Sequence, residues 1–193
     1  MSEQTHVVAI SGSLRDGSYT RKGLNRALET AAQTGASTDL LDLRELDLPV
    51  FDADDREVGD AAELSRRVAR ADSILLGTPV YHGSYSAPLK NALDYLGFDE
   101  FEHSTVGLLC VAGGGFPVTA LDHLRSVSRA LNAWVIPHQV AIPRARNAFA
   151  DGAVADEDVA ERIDTLGREA VQYANIEPDQ ATFESGENKG ADD

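Results

Sequence analysis

Val7-Val8-Ala9-Ile10 runs directly into Ser11-Gly-Ser-Leu-Arg-Asp-Gly-Ser-Tyr-Thr-Arg-Lys-Gly23. Four apolar residues break into a Gly/Ser loop, and the loop opens a helix. That is the outline of a phosphate cradle, because N–H groups at a helix start point outward and carry partial positive charge. The loop adds the hydroxyls of Ser13, Ser18 and Thr20 and the guanidinium of Arg15. Small donors can crowd one phosphate, and Arg presents a planar fork to its oxygens. Two better-known loops do not fit. Gly12 to Ser18 reads G-x-x-x-x-G-S and lacks the Lys of a nucleoside triphosphate loop. The spacing G-x-G-x-x-G of a dinucleotide fold is absent too, since Leu14 stands two after Gly12. A monophosphate of charge about -2 suits what remains. An ordinary polar turn with a helix cap is the alternative, since Ser and Thr favour caps in any case.

Outward from this loop, apolar runs alternate with helical patterns. Strands are expected at Val7–Ser11, Thr38–Asp42, Ser73–Thr78, Val106–Val111 and Trp134–Ile142, with helices at Arg21–Thr34, Ala61–Ala71, Ala87–Leu96, Val118–Leu131 and Asp156–Ile176. Runs such as Ile74-Leu75-Leu76 lack polar alternation, as parallel strands covered on both faces do. In the last helix Val159, Ile163, Leu166, Ala170 and Tyr173 form one stripe, and Asp156, Glu157 and Asp158 sit where the helix dipole favours negative charge. A repeated β-α unit implies an α/β fold, a doubly wound parallel sheet with right-handed crossovers. The expected organisation is a single domain over residues 1–177, followed by a polar, acidic, disordered tail over 178–193.

At 193 residues, 42% of them hydrophobic, the chain suits one well-buried core. It carries 32 acidic against 17 basic residues, a net charge of -15, and its lysines are Lys22, Lys90 and Lys189. Such a surface repels nucleic acid and anionic membrane. Acid excess with scarce Lys is read as adaptation to a salt-rich cytoplasm, where screening relieves self-repulsion. An ordinary acidic protein is the alternative. The lone Cys110 excludes an intramolecular disulfide and reads as a small hydrophobe on a strand. Met1–His6 lacks the features of a signal peptide, and no run approaches the length of a membrane span, so a cytoplasmic protein is expected.

In doubly wound sheets the ligand lies beyond the carboxyl ends of the strands. The loop after the third expected strand reads Thr78-Pro-Val-Tyr-His-Gly-Ser-Tyr-Ser86. Its aromatic pair, Tyr81 and Tyr85, offers flat surface to a planar ring. After the fourth comes Ala112-Gly-Gly-Gly-Phe-Pro117. Three successive glycines cost conformational entropy and suit close approach of the backbone to a ligand, or else simply a flexible turn. Arg44 follows the second strand and is read as standing away from the phosphate loop. Lys90, Asn91 and Asp94 read as the polar face of a helix. The five histidines show no metal-ligand spacing, and no G-x-S-x-G elbow appears.

Strand-GSLRxxSxxR, then TPxYxGSxxxxLKNALDxL, then a Gly-rich loop after the fourth strand, resembles the NADPH-dependent FMN reductase family over roughly residues 5 to 175. These are flavodoxin-like proteins that include quinone, azo-dye and chromate reductases. The resemblance implies a five-stranded sheet of order 2-1-3-4-5 with helices on both faces, FMN as cofactor, and NADPH or NADH as electron donor. It places Ser11, Ser13, Arg15, Ser18 and Thr20 on the FMN phosphate, Pro79, Val80, Tyr81 and His82 along the ring, and Gly113, Gly114 and Gly115 on its other side. It implies a small-molecule acceptor (quinone, azo compound, metal oxyanion or free flavin) and a homodimer or homotetramer. The chain departs from the pattern at Val80 and His82, where many relatives carry Glu and Asn. No catalytic side chain is expected, since the cofactor does the chemistry. The alternatives are a flavodoxin-type carrier, against which Arg15 argues, and a phosphate-binding regulatory module without flavin.

Overall fold

The computed structural model describes residues 4–174 and 176. Five strands, β1 (His6–Ser11), β2 (Ser37–Asp42), β3 (Ser73–Pro79), β4 (Thr105–Val111) and β5 (Trp134–Ile142), form one parallel sheet in the order β2-β1-β3-β4-β5. The order and the fold are those expected. Successive side chains of a strand point to opposite faces, and both faces are covered. Val8, Ile10, Ile74, Leu76 and Leu108 pack against the helices α2 (Ala61–Val68), α3 (Ala87–Asp94) and α5 (Val118–Ala130). Val7, Ala9, Leu75 and Leu109 pack against α1 (Tyr19–Gln33) and α7 (Glu157–Gln172). That double cover is why the strands read as continuous apolar runs. Helices α1 and α7 approach so closely that a Cβ at Gly167 would stand 2.3 Å from the Ala27 carbonyl oxygen.

Helix ends differ from the expected ones for local reasons. Helix α1 begins two residues early, because the Ser18 hydroxyl accepts from the Arg21 N–H at 3.1 Å and caps it. Helices α2 and α3 stop at Val68 and Asp94, short of Ala71 and Leu96. Tyr95 and Leu96 are still buried after α3 ends, so the apolar stripe outlasts the helix. Asp156 caps α7 through the Val159 N–H at 3.0 Å and lies outside it.

Two short helices, α4 (Phe98–Phe101) and α6 (Ala145–Ala148), and a hairpin of β6 (Phe149–Ala150) and β7 (Ala153–Val154) were not expected. The hairpin turns at Asp151-Gly152 with both residues at positive φ, 48° and 86°, the type that favours Asp-Gly. It is anchored where the Phe149 ring stacks on Tyr19 at 4.6 Å. The expected tail over 178–193 lies outside the described residues.

Candidate functional site

All five strands of the sheet run the same way, so the loops after β1, β3, β4 and β5 share its carboxyl edge. Backbone hydrogen bonds stitch them side by side: Gly12 N–H to Gly77 O at 2.8 Å, Val80 to Val111 at 2.8 Å, Ala112 to Ile142 at 2.9 Å and Arg144 to Gly114 at 2.9 Å. The β1 loop is seated on α3 at Gly12. A Cβ there would stand 2.7 Å from that of Leu89, and the Ser86 hydroxyl donates to the Gly12 carbonyl at 2.7 Å while capping α3. Thr78 completes the joint by accepting the Ser86 N–H at 2.9 Å. No local pattern marks the part played by Thr78 and Ser86, which are eight residues apart.

The loop itself is rich in open donors. Among the described residues, the N–H groups of Ser13, Leu14, Arg15 and Asp16 make no hydrogen bond to the protein, nor do the side chains of Ser13, Thr20 and Arg15. Ser13, Ser18 and Thr20 are buried, whereas Arg15 is exposed. Ser11 is fully buried at the end of β1, its hydroxyl unpaired beneath the loop. An orphaned hydroxyl costs about 1–3 kcal/mol.

Arg21 and Arg44 take no part in that open surface. The Arg21 guanidinium donates to the buried Asp42 carboxylate at 2.6 Å and to the Asp16 carbonyl, pinning the loop to the end of β2. Arg44 pairs with the Asp16 carboxylate at 2.6 Å. This corrects its placement away from the loop: the partner lies 28 positions earlier, beyond any local pattern.

The β3 loop carries a tight turn. Tyr81 and Ser84 exchange N–H···O bonds of 3.1 Å each, with His82 at φ 51° and Gly83 at φ 78°. That turn favours Asn or Asp at its first central position, and His is the next residue type to tolerate positive φ. His82 therefore has a backbone reason to stand where Asn is common. Pro79 ends β3, and Val80 packs on the core with its N–H spent on Val111. The donors left open in the loop are the N–H groups of His82, Gly83 and Tyr85. Tyr81 and Tyr85 have different surroundings. Tyr81 is 52% exposed, while Tyr85 packs on the core edge-on to His123. Helix α5 clasps the turn: Thr119 donates to the Gly83 carbonyl at 2.6 Å, and the Ser84 hydroxyl meets His123 Nδ1 at 2.9 Å.

Gly113, Gly114 and Gly115 form the exposed loop after β4, and none has a positive φ. A Cβ at Gly113 or Gly114 would meet nothing within 4 Å, and at Gly115 only Arg144 Nη2 at 3.9 Å. The fold itself therefore asks for no glycine here. Beside them Phe116 is 89% exposed and Val118 51%.

Other features lie off this edge. Cys110 is buried on β4, its thiol pushed up to about 12 by desolvation, so it stays protonated and inert. A cleft of about 340 Å³ at the amino ends of β1 and β2 is lined by Arg66, Arg67 and Arg70. Its charges are largely spent: Arg67 is bonded to Asp39 at 2.6 and 2.8 Å and holds that carboxyl below its usual range, while Arg66 pairs with Glu63 at 2.7 Å. Asn91, read as part of a polar face, instead holds the segment before α2, accepting from Phe51 N–H at 2.8 Å and donating to the Pro49 carbonyl at 2.8 Å. Among the described residues no helix is long and apolar enough to cross a membrane, and no three or more His, Cys, Asp or Glu cluster as metal ligands.

The family model described as NADPH-dependent FMN reductase matches residues 5–147. An FMN-dependent NADPH-azoreductase of Staphylococcus aureus is 46% identical over 79 residues, 41% of this chain. The match spans 42% of that relative's length. Among solved structures, an NADH:FMN oxidoreductase (EMOB) in its apo form superposes with a TM-score of 0.76 at 24% identity, covering 91% of this chain and 92% of the other. The flavoenzyme NAD(P)H:(acceptor) oxidoreductase (FerB) of Paracoccus denitrificans superposes with a TM-score of 0.72 at 22% identity, covering 88% and 96%.

Proposed function

The chain belongs to the NADPH-dependent FMN reductase family, and on that premise we propose that it is an FMN-dependent oxidoreductase. It takes reducing equivalents from NADPH or NADH and passes them to a small-molecule acceptor. The observation that carries this reading is the β1 loop. Four consecutive open N–H groups, the bare hydroxyls of Ser13 and Thr20 and the unpaired Arg15 guanidinium face no carboxylate or carbonyl of the protein. Such a donor set matches a phosphate monoester, which offers acceptors only. Ser18 contributes by capping α1, which aims the helix start at the same anion.

When bound, FMN supplies the hydride and single-electron chemistry. The residues bind and orient. Ser13, Thr20 and Arg15 hold the phosphate, and Ser11 backs the loop from beneath. Pro79, Val80, Tyr81 and His82 border the ring on one side. With the Val80 and Tyr81 N–H groups already bonded, the His82 and Gly83 N–H groups are the donors for its polar edge. Gly113, Gly114 and Gly115 border the other side, where side chains would stand in the way of a flat heterocycle.

Among acceptors, neutral planar molecules such as quinones and azo compounds suit the exposed Tyr81 and Phe116. A metal oxyanion, or free flavin with its phosphate, must approach against a net charge of -15. We assign a single domain over residues 1–177, a homodimer or homotetramer, and a cytoplasmic location to the same reading. Steady-state NADPH oxidation with a quinone acceptor tests it. A flavodoxin-type carrier would bind FMN without turnover, and a phosphate-binding regulatory module would purify colourless.

A further inference from the structure

Resting on that functional reading, we propose that Arg144 binds a phosphate group of the nicotinamide nucleotide donor. Arg144 directly follows β5 and Pro143, at the carboxyl edge of the sheet. Its N–H donates to the Gly114 carbonyl at 2.9 Å, and its Nη2 lies 3.9 Å from the Cβ position of Gly115. The guanidinium thus stands beside the glycine loop, at the far end of the site from Arg15.

Three observations point to an anionic ligand. The side chain is exposed and, among the described residues, makes no ion pair or hydrogen bond, whereas Arg21, Arg26, Arg44, Arg66 and Arg67 each hold a carboxylate. Arg15, Arg56, Arg70, Arg129 and Arg146 likewise make no ion pair or hydrogen bond among the described residues, and what sets Arg144 apart is its seat against the glycine loop at the carboxyl edge of the sheet. The backbone is also strained. Of the five non-glycine residues at positive φ among those described, His82, His103, Asn132 and Asp151 are of types that tolerate it, but Arg144, at φ 46° and ψ 50°, is not. Strain of this kind collects where structure is held for binding.

The third observation is the charge balance. A nicotinamide nucleotide is a polyanion approaching a chain of net charge -15, so its entry needs a local cation. On the proposed reading Arg15 is committed to the cofactor's monophosphate, which leaves Arg144, beside Gly114 and Gly115, as a cation free to meet a second anion. Arg146, exposed and unpaired two residues on, adds to the same field. A guanidinium suits the task because it can meet two phosphate oxygens at once.

The test titrates NADP+ and 2′,5′-ADP into FMN-loaded wild type, Arg144→Gln and Arg144→Lys, beside FMN titrations of the apo-proteins. Arg144→Gln is expected to weaken both nucleotides about tenfold with FMN affinity unchanged, the low end for loss of a charge-assisted bond at an exposed site. Arg144→Lys should recover part of the loss. In turnover, KM for the donor should rise with kcat held. A rise confined to NADPH assigns the 2′-phosphate, and an equal rise with NADH assigns the pyrophosphate. Unchanged nucleotide binding in Arg144→Gln overturns the proposal, and so does a matching loss of FMN affinity, which would put Arg144 on the cofactor. Failure of the functional reading looks different: wild type itself would bind no FMN.

Discussion

Replacing Asp42 with Asn should loosen the phosphate loop without dismantling the sheet. Asp42 Oδ2 sits 2.6 Å from Arg21 Nη1, with side chains 5% and 24% exposed, and Arg21 in turn holds the Asp16 carbonyl. Breaking a fully buried pair costs about 3–5 kcal/mol, and a charge-assisted bond contributes about 1.5–3. With water reaching a quarter of Arg21, about 2 kcal/mol of folding stability is expected to be lost, lowering Tm by roughly 4–8 °C for a chain of this size. The loop then needs ordering when its ligand binds, which should weaken FMN about tenfold. Riboflavin lacks the phosphate and should bind mutant and wild type alike. Fluorescence titration of the apo-protein with both ligands gives the ratio of their affinities. Arg21→Lys, which keeps the charge but cannot reach two acceptors as a fork, should move that ratio the same way. An FMN-to-riboflavin ratio unchanged in both variants would refute the reasoning, whatever happens to Tm.

Arg15→Ala should leave Tm unchanged and weaken FMN about ten- to a hundredfold, with Arg15→Lys intermediate; isothermal titration at fixed salt checks both. Melting in dilute buffer and in molar KCl should differ by many degrees if the -15 surface is adapted to salt, and equal values count against that reading. The Arg26 guanidinium beside Asp164 holds its carboxyl below the ordinary value of 3.8. The depressed pKa means that this pair stabilises the fold above about pH 4 and that the contribution fades as pH falls through the lowered value. Asp164→Asn should accordingly flatten the loss of stability between neutral pH and pH 3, followed by urea unfolding; because both side chains are partly exposed, the difference should be at most about 1 kcal/mol.

The centre of the sheet was legible because β1, β3 and β4 are buried on both faces, so Val7–Ile10 or Ile74–Leu76 announces itself without a partner. Trp134–Ile142 matches β5 at both ends even though it carries Pro137 and pairs with β4 through an irregular register. Pro is tolerated there because β5 is an edge strand. What stayed hidden lives between segments. Arg21 with Asp42, Arg44 with Asp16, Ser86 with Gly12 and Thr119 with Gly83 are separated by 21 to 74 positions, and no local pattern marks them. The Asp151-Gly152 hairpin is different, since that dipeptide is itself a turn signal. At the candidate site the loops could be located from sequence, but not which donors were already spent: Val80 and Tyr81 N–H are bonded, while Ser13 to Asp16 are not.

The central claim is that the carboxyl edge of the sheet holds FMN by its phosphate. The most direct test is to purify the protein in high-salt buffer, reconstitute it with a mixture of riboflavin, FMN and FAD, remove the excess, and identify by chromatography the flavin that the denatured protein releases. The account predicts a yellow protein that releases stoichiometric FMN. Release of FAD, or no retained flavin at all, would contradict it.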